Sequence, residues 1–391
     1  MSVMITESNL NYPRKDTLDL SKVPWTKPVA GEDFYNQRIG ERLAFSTKTK
    51  ENYDRYQRWM KNRDFSSPID FVPIAGHISP ISRCNFKCTM CSVADFKNGK
   101  RCEDMSYDLF KKRLDELFGL IQISLVGLSE LFMLHDSLED MLKLCRNQKI
   151  WTSVATNGSL LHQRNWIQRL AGLNLDEIVV SIDGVTETTF EAIRVGSNFR
   201  RVCDNAKNLN SQFDLAGVSP KRTKMQTVLQ ARNRHELFDF IPLARELGFS
   251  AISFETEPFD WGSVTWRVKN SKATEIFKSD ELDALVSQGK EFGVEVGFVE
   301  IVQRYSALPN EHSLCSWPFS KIFVSSDDRV VPCCHISNPD YFEIGNGIGQ
   351  NNSVIDVWKS EDYHNFRQSH VSGNIPDACR SCYKLTPSRT F

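Results

Sequence analysis

Ser82-Arg83-Cys84-Asn85-Phe86-Lys87-Cys88-Thr89-Met90-Cys91 follows directly on an apolar run at 77–81, and this stretch decides how the rest of the chain is read. Three thiols within eight residues, spaced CX3CX2C, can grip one face of an iron–sulfur cluster and leave one iron without a protein ligand. A structural zinc would want a fourth donor close by; a zinc knuckle closed by His77 is the competing reading. The position just after a strand matters, because α/β folds gather their ligand-binding residues beyond the carboxyl ends of strands.

Working outward, apolar runs at 77–81, 121–126, 150–155, 177–182, 225–229 and 251–254 alternate with helix-like segments at 106–118, 138–147, 162–173, 188–193 with 200–209, and 236–247. Strands that alternate with helices pair in parallel through crossovers. The class is therefore α/β, and either a partial barrel or an open doubly wound sheet satisfies the count. Residues 1–70 form an N-terminal extension, with Pro13, Pro24 and Pro28 early and an amphipathic helix expected at 50–61. Residues 71–262 carry the strand–helix alternation. A connecting segment, 263–310, holds a helix at 278–288, stopped by Gly289, and a strand at 294–299. Residues 311–391 form a compact cysteine-bearing module.

Composition bounds the function. A net charge of −1 on 391 residues predicts no nucleic-acid partner. The apolar stretch 117–134 is interrupted by Gln122, Ser124, Ser129 and Glu130, so no membrane span is expected, and the N-terminus lacks a signal-peptide core. A cytoplasmic location follows as the expectation. In a reducing cytosol, eleven cysteines point to metal or catalysis rather than disulfides. Eight are clustered; Cys102, Cys145 and Cys203 stand alone and read as small apolar residues.

The later cysteines fall at Cys315, Cys333-Cys334 and Cys379-Arg-Ser-Cys382. The pattern predicts a β-hairpin with cysteines at its two ends, a helix at 354–369 and a CX2C knuckle. Four converging thiolates suit a polynuclear iron–sulfur cluster or a structural zinc, and both readings stand on these residues alone.

The first loop resembles that of the radical S-adenosylmethionine (SAM) superfamily, and the resemblance continues strand by strand. Gly127-Leu-Ser-Glu130-Leu131 after the second strand is similar to the family's glycine-glycine-glutamate-proline motif, with one glycine kept and Leu131 in place of the proline. Ala155-Thr156-Asn157-Gly158 ends the third strand and Val180-Ser181-Ile182-Asp183-Gly184 the fourth, with Arg194-Val-Gly196 beyond it. The later module resembles SPASM/twitch domains through Trp317-Pro318, Val330-Val331-Pro332-Cys333, Val357-Trp358 and Ile375-Pro376. With nine residues after Cys382, the shorter twitch arrangement is expected.

The resemblance implies a partial (β/α)6 TIM-like barrel followed by a small C-terminal cysteine-rich α+β auxiliary-cluster domain. It implies SAM and two [4Fe–4S] clusters, the first on Cys84, Cys88 and Cys91, the second on Cys315, Cys333, Cys379 and Cys382, with Cys334 as the alternative to Cys333. Met90 would lie near the adenine, Gly127 and Glu130 near the SAM amino group, and Asn157, Ser181 and Arg194 around the rest of SAM. An external one-electron donor such as flavodoxin or ferredoxin is implied, as is a small-molecule or peptide substrate.

Three reactions compete. Oxidation of a carbinol in a sugar or aminocyclitol would use the auxiliary cluster as electron acceptor, with Glu255 and Glu257 as base candidates by location. Epimerisation needs a thiol that returns a hydrogen atom, for which Cys102, Cys145 and Cys203 are the candidates. Modification of a ribosomal peptide is the third, and the short N-terminal extension argues against it.

Overall fold

The computed structural model describes residues 31–62, 65, 68–275, 277–299, 304–308, 313–345, 347–348 and 353–384. The early prolines of the extension lie outside the described residues.

Seven parallel strands run through one sheet in chain order: β1 (Ala75–Ile78), β2 (Gln122–Leu125), β3 (Trp151–Thr156), β4 (Glu177–Ser181), β5 (Thr223–Val228), β6 (Ala251–Glu255) and β7 (Glu295–Val299). The order never reverses, so the sheet has no topological switch point, and the doubly wound alternative fails on that ground. The winding is that of a partial barrel. Side-chain alternation explains why each strand forms. In β5, Thr223, Met225 and Thr227 are buried, while Lys224, Gln226 and Val228 face a central cavity.

The sheet extends further than the sequence suggests. β7, from the connecting segment, pairs with β6. On the other side, β8 (Lys321–Val324) pairs in parallel with β1, and β9 (Val330–Val331) pairs antiparallel with β8. The expected hairpin therefore exists, but it continues the barrel sheet.

Two helix boundaries differ from expectation. The helix of the connecting segment runs Ser279–Phe292, through Gly289, and stops at left-handed Gly293. Gly289 answers to packing instead: a Cβ there would stand 2.4 Å from Val296 Cγ2. The expected helix at 354–369 is two, Val354–Lys359 and Glu361–Val371, because Ser360 caps the second by accepting from Tyr363 N.

The extension supplies α1 (Glu32–Phe45) and α2 (Thr47–Asn62). Arg42 donates to three backbone carbonyls, Leu120 at 2.9 Å, Gln148 at 2.8 Å and Phe118 at 3.2 Å. Asn52 pairs with both backbone groups of Val72. Buried carbonyls at the sheet's amino end are thereby satisfied. Tyr35 reaches the cavity, where its hydroxyl donates to Gln122 Oε1 at 2.6 Å. Among the described residues no helix is long and apolar enough to cross a membrane.

Candidate active site

One cavity of about 510 Å³ occupies the inside of the barrel. Its upper rim is built from the loops at the carboxyl ends of β1 to β6. Cys84, Cys88 and Cys91 line it together with Met90, Gly127, Asn157, Ser181 and Arg194, so five of the six residues implied to hold SAM share a wall with the three thiols.

The first loop is held from several sides. Lys87–Cys88 pairs antiparallel with Arg194–Val195. Arg194 forms a buried 2.7 Å ion pair with Asp183, whose other oxygen accepts from Val228 N. Asn157 donates to Asn85 at 3.0 Å and lies 3.8 Å from Cys84 Sγ. Burial pushes all three thiols up, Cys91 to about 12. Thiolates there would need a compensating cation beside them, a need that the irons of an iron–sulfur cluster would meet.

Glu130, the sixth implied SAM residue, lies behind the wall. Its fully buried carboxylate accepts from Asn157 N at 2.7 Å, Thr156 Oγ1 at 2.8 Å and Phe132 N at 3.2 Å. It ties the second loop to the third. Gly127 owes its identity to Ser79, since a Cβ would stand 2.0 Å from Ser79 Oγ.

The second thiol group lies where β8 and β9 meet the terminal knuckle. Cys315, Cys333, Cys379 and Cys382 are near enough to act on one another electrostatically, each raised first by burial and, for the last three, next by neighbouring thiols. Tyr383 Oη receives Cys315 N at 2.8 Å and meets His370 Nδ1 at 2.9 Å. Four soft donors, Cys379 buried and the other three half-buried, without a carboxylate among them fit an iron–sulfur cluster. Cys334 is set differently. It lines the barrel cavity, which Cys333 does not, and senses Lys321 and Glu255.

The remaining candidates separate cleanly. Glu255 ends β6 inside the cavity, 8% exposed, and accepts from Gln226 Nε2. Burial first, and then Asp183, pushes its carboxyl up to about 8. Glu257 lies outside the cavity wall, as do Cys102, Cys145 and Cys203. Cys102 contacts Ser82 and Ser326 hydroxyls, and Cys145 is fully buried in the apolar core. His77, the zinc alternative, lies on β1 with its ring 4.8 Å from Trp317.

Sequence reasoning missed the cavity floor. Glu177 and Lys224 form a 2.8 Å ion pair there, and Lys321 and His335 add further polar groups. The available signal was polar residues at alternate positions of otherwise buried strands. Trp261 and Asn270 were also missed; both donate to the Met90 carbonyl, at 2.9 and 3.1 Å.

Comparison with known proteins agrees with this geometry. Residues 78–224 match the radical SAM superfamily, and residues 315–383 match the SPASM iron–sulfur cluster-binding domain. A "Probable GTP 3',8-cyclase" of Saccharolobus islandicus is 30% identical over 47% of this chain and 57% of its own length. The chain thus spans little more than half of that curated relative. The GTP 3',8-cyclase of Ectopseudomonas mendocina is 24% identical over 66% of this chain and 77% of its own. Among solved structures, SuiB of Streptococcus suis bound to its precursor peptide SuiA superposes with a TM-score of 0.60 at 14% identity, covering 79% of this chain and 69% of SuiB. SuiB has also been solved with SAM bound, and that structure gives a TM-score of 0.59 at 16% identity, covering 80% of this chain and 71% of SuiB. The chain is a radical SAM enzyme with a C-terminal SPASM domain, and its cofactors are SAM, a [4Fe–4S] cluster and an auxiliary iron–sulfur cluster.

Proposed function

We propose that the enzyme oxidises a carbinol of a small polar substrate held in the barrel cavity, with Glu255 as the base. When bound and reduced by one electron, SAM beside the first cluster supplies a 5′-deoxyadenosyl radical. The carbinol gives up one hydrogen atom to that radical, one proton to a Glu255 carboxylate oxygen, and one electron to the auxiliary cluster. A ketone is left. Cys84, Cys88 and Cys91 would hold the first cluster, and Cys315, Cys333, Cys379 and Cys382 the second in the twitch manner. Met90, Gly127, Asn157, Ser181 and Arg194 would hold SAM.

The observation that carries this reading is Glu255: a buried carboxyl in the cavity, raised towards neutrality, within electrostatic reach of Cys334 beside the auxiliary thiols. Such a group is suited to accept a proton near neutral pH. The polar floor favours a sugar or aminocyclitol over an apolar ligand. A reducing cytoplasm and an external one-electron donor complete the proposal.

Cys334 supports a second reading. A thiol in the cavity could return a hydrogen atom to a substrate radical, which gives epimerisation, and Cys334 takes that role before Cys102, Cys145 or Cys203.

The test is anaerobic incubation of reconstituted, reduced protein with SAM and a panel of aminocyclitols, sugars, GTP and peptides in deuterated water. Oxidation predicts one SAM consumed per ketone formed and no deuterium at the reacting carbon. A deuterated product of inverted configuration, lost in Cys334→Ala, sinks oxidation in favour of the second reading. A cyclised nucleotide or modified peptide sinks both.

A further inference from the structure

Outside the barrel, a surface hollow of about 470 Å³ lies against the outer side of the first cysteine loop. Its wall holds Thr89 and Met90 of that loop and three cations, Arg232, Lys269 and Lys272, with no carboxylate among its lining residues. All three cations are exposed. None of them forms an ion pair among the described residues, in a protein whose surface lysines and arginines commonly do. Like charges left together and unneutralised call for an anionic partner.

The hollow is wired to the metal site by covalent and hydrogen bonds. Met90 lies one peptide bond from Cys91. Its carbonyl receives Asn270 Nδ2 at 3.1 Å, and Asn270 sits in the short helix Val264–Ser271 that also carries Lys269. Lys269 packs its ammonium 3.7 Å from the Trp266 ring. The same helix exposes Val264 at 67% and Val268 at 55%. Two bare valines beside a basic hollow make a patch broader than a small anion covers, with the mixed character of a transient protein interface.

We propose that this face docks an acidic one-electron carrier protein, with Arg232, Lys269 and Lys272 reading its carboxylates and Val264 and Val268 its apolar rim. The inference rests on the reading that the iron held by Cys84, Cys88 and Cys91 is reduced from outside. One electron leaves the carrier for that iron, the carrier is oxidised by one electron, and no atom is transferred.

The experiment measures binding of a labelled acidic flavodoxin to the reconstituted full chain by fluorescence anisotropy at rising salt, beside 5′-deoxyadenosine formation driven by flavodoxin or by dithionite. Arg232→Glu with Lys272→Glu should weaken binding by about tenfold or more and flatten its salt dependence. Flavodoxin-driven cleavage should fall with it, while dithionite-driven cleavage stays at the wild-type level. The neutral pair Arg232→Gln with Lys272→Gln should fall in between. Equal flavodoxin binding by wild type and the charge-reversed pair overturns the proposal. So does tighter binding of a short DNA duplex that the same reversal abolishes, which would make the patch a nucleic-acid site. Binding is read without turnover, so failure of the proposed oxidation leaves this result standing.

Discussion

The two groups of cysteines in this protein are assembled by opposite means. The first draws three thiols from one loop, braced by the loops of β2, β3 and β4, and opens onto the cavity. The second draws four thiols from three stretches between Cys315 and Cys382, and only tertiary structure brings them together. Local ligands with an open side suit chemistry on a bound small molecule; distributed ligands that fill every coordination position suit electron transfer. Cys334 marks the boundary, since its neighbour belongs to the second set while it faces the cavity.

The largest effect expected is at the open site. Replacing Cys84, Cys88 and Cys91 together by Ala should abolish reductive SAM cleavage while the auxiliary cluster's absorbance remains, and iron should fall from about eight to about four per chain. Persistent cleavage would break the contrast. At the closed site, Cys379→Ala with Cys382→Ala should leave 5′-deoxyadenosine formation in place but abolish ketone, read by chromatography of both products.

Between the sites, Glu255→Gln should lower ketone formation by about 10²- to 10⁴-fold. In wild type the rate should climb with pH through a midpoint near 8, because the base must be ionised, and the variant should lose that limb. The sign for stability is the reverse. The folded carboxyl binds its proton more tightly than the unfolded one, so its stabilising contribution is present at low pH and lost as pH rises through about 8. A pH series of denaturant midpoints checks it.

Smaller still, Glu130→Ala strands the buried Asn157 N–H and Thr156 hydroxyl and should cost about 2–3 kcal/mol in urea unfolding, with weaker SAM binding. Least of all, Cys203→Ala on its helix should change stability by under about 0.5 kcal/mol and leave turnover near wild type.

The open site's thiols were legible because their chemistry is local: Cys84, Cys88 and Cys91 announce themselves within one loop, whereas Asn157, Ser181 and Arg194 were picked out by resemblance. At the closed site the residues alone suggested four thiols around iron or zinc, and only resemblance chose between the metals, since nothing in the spacing says how Cys315 meets Cys379. The cavity floor was missed because Gln226 was submerged in a run read as apolar and Lys224 was left just outside it, although their alternation with Thr223 and Met225 is the pattern of a strand with one polar face. Glu130 was found for its motif, yet its hydrogen bonds run to a neighbouring loop, a relation that no single segment encodes. Gly289 misled because a glycine that permits close packing looks the same in sequence as one that ends a helix.

The pairing of β1 with β8 sets a timetable. Ala75 lies beside Lys321, well over half the chain away, so an edge of the barrel stays bare on the ribosome until the C-terminal module emerges. At the usual pace of synthesis that wait lasts on the order of tens of seconds. During it, an unpaired parallel strand invites mispairing with other chains. Yield in a heterologous host should therefore respond to slower growth temperature and to chaperone supply, independently of how much iron the cell provides.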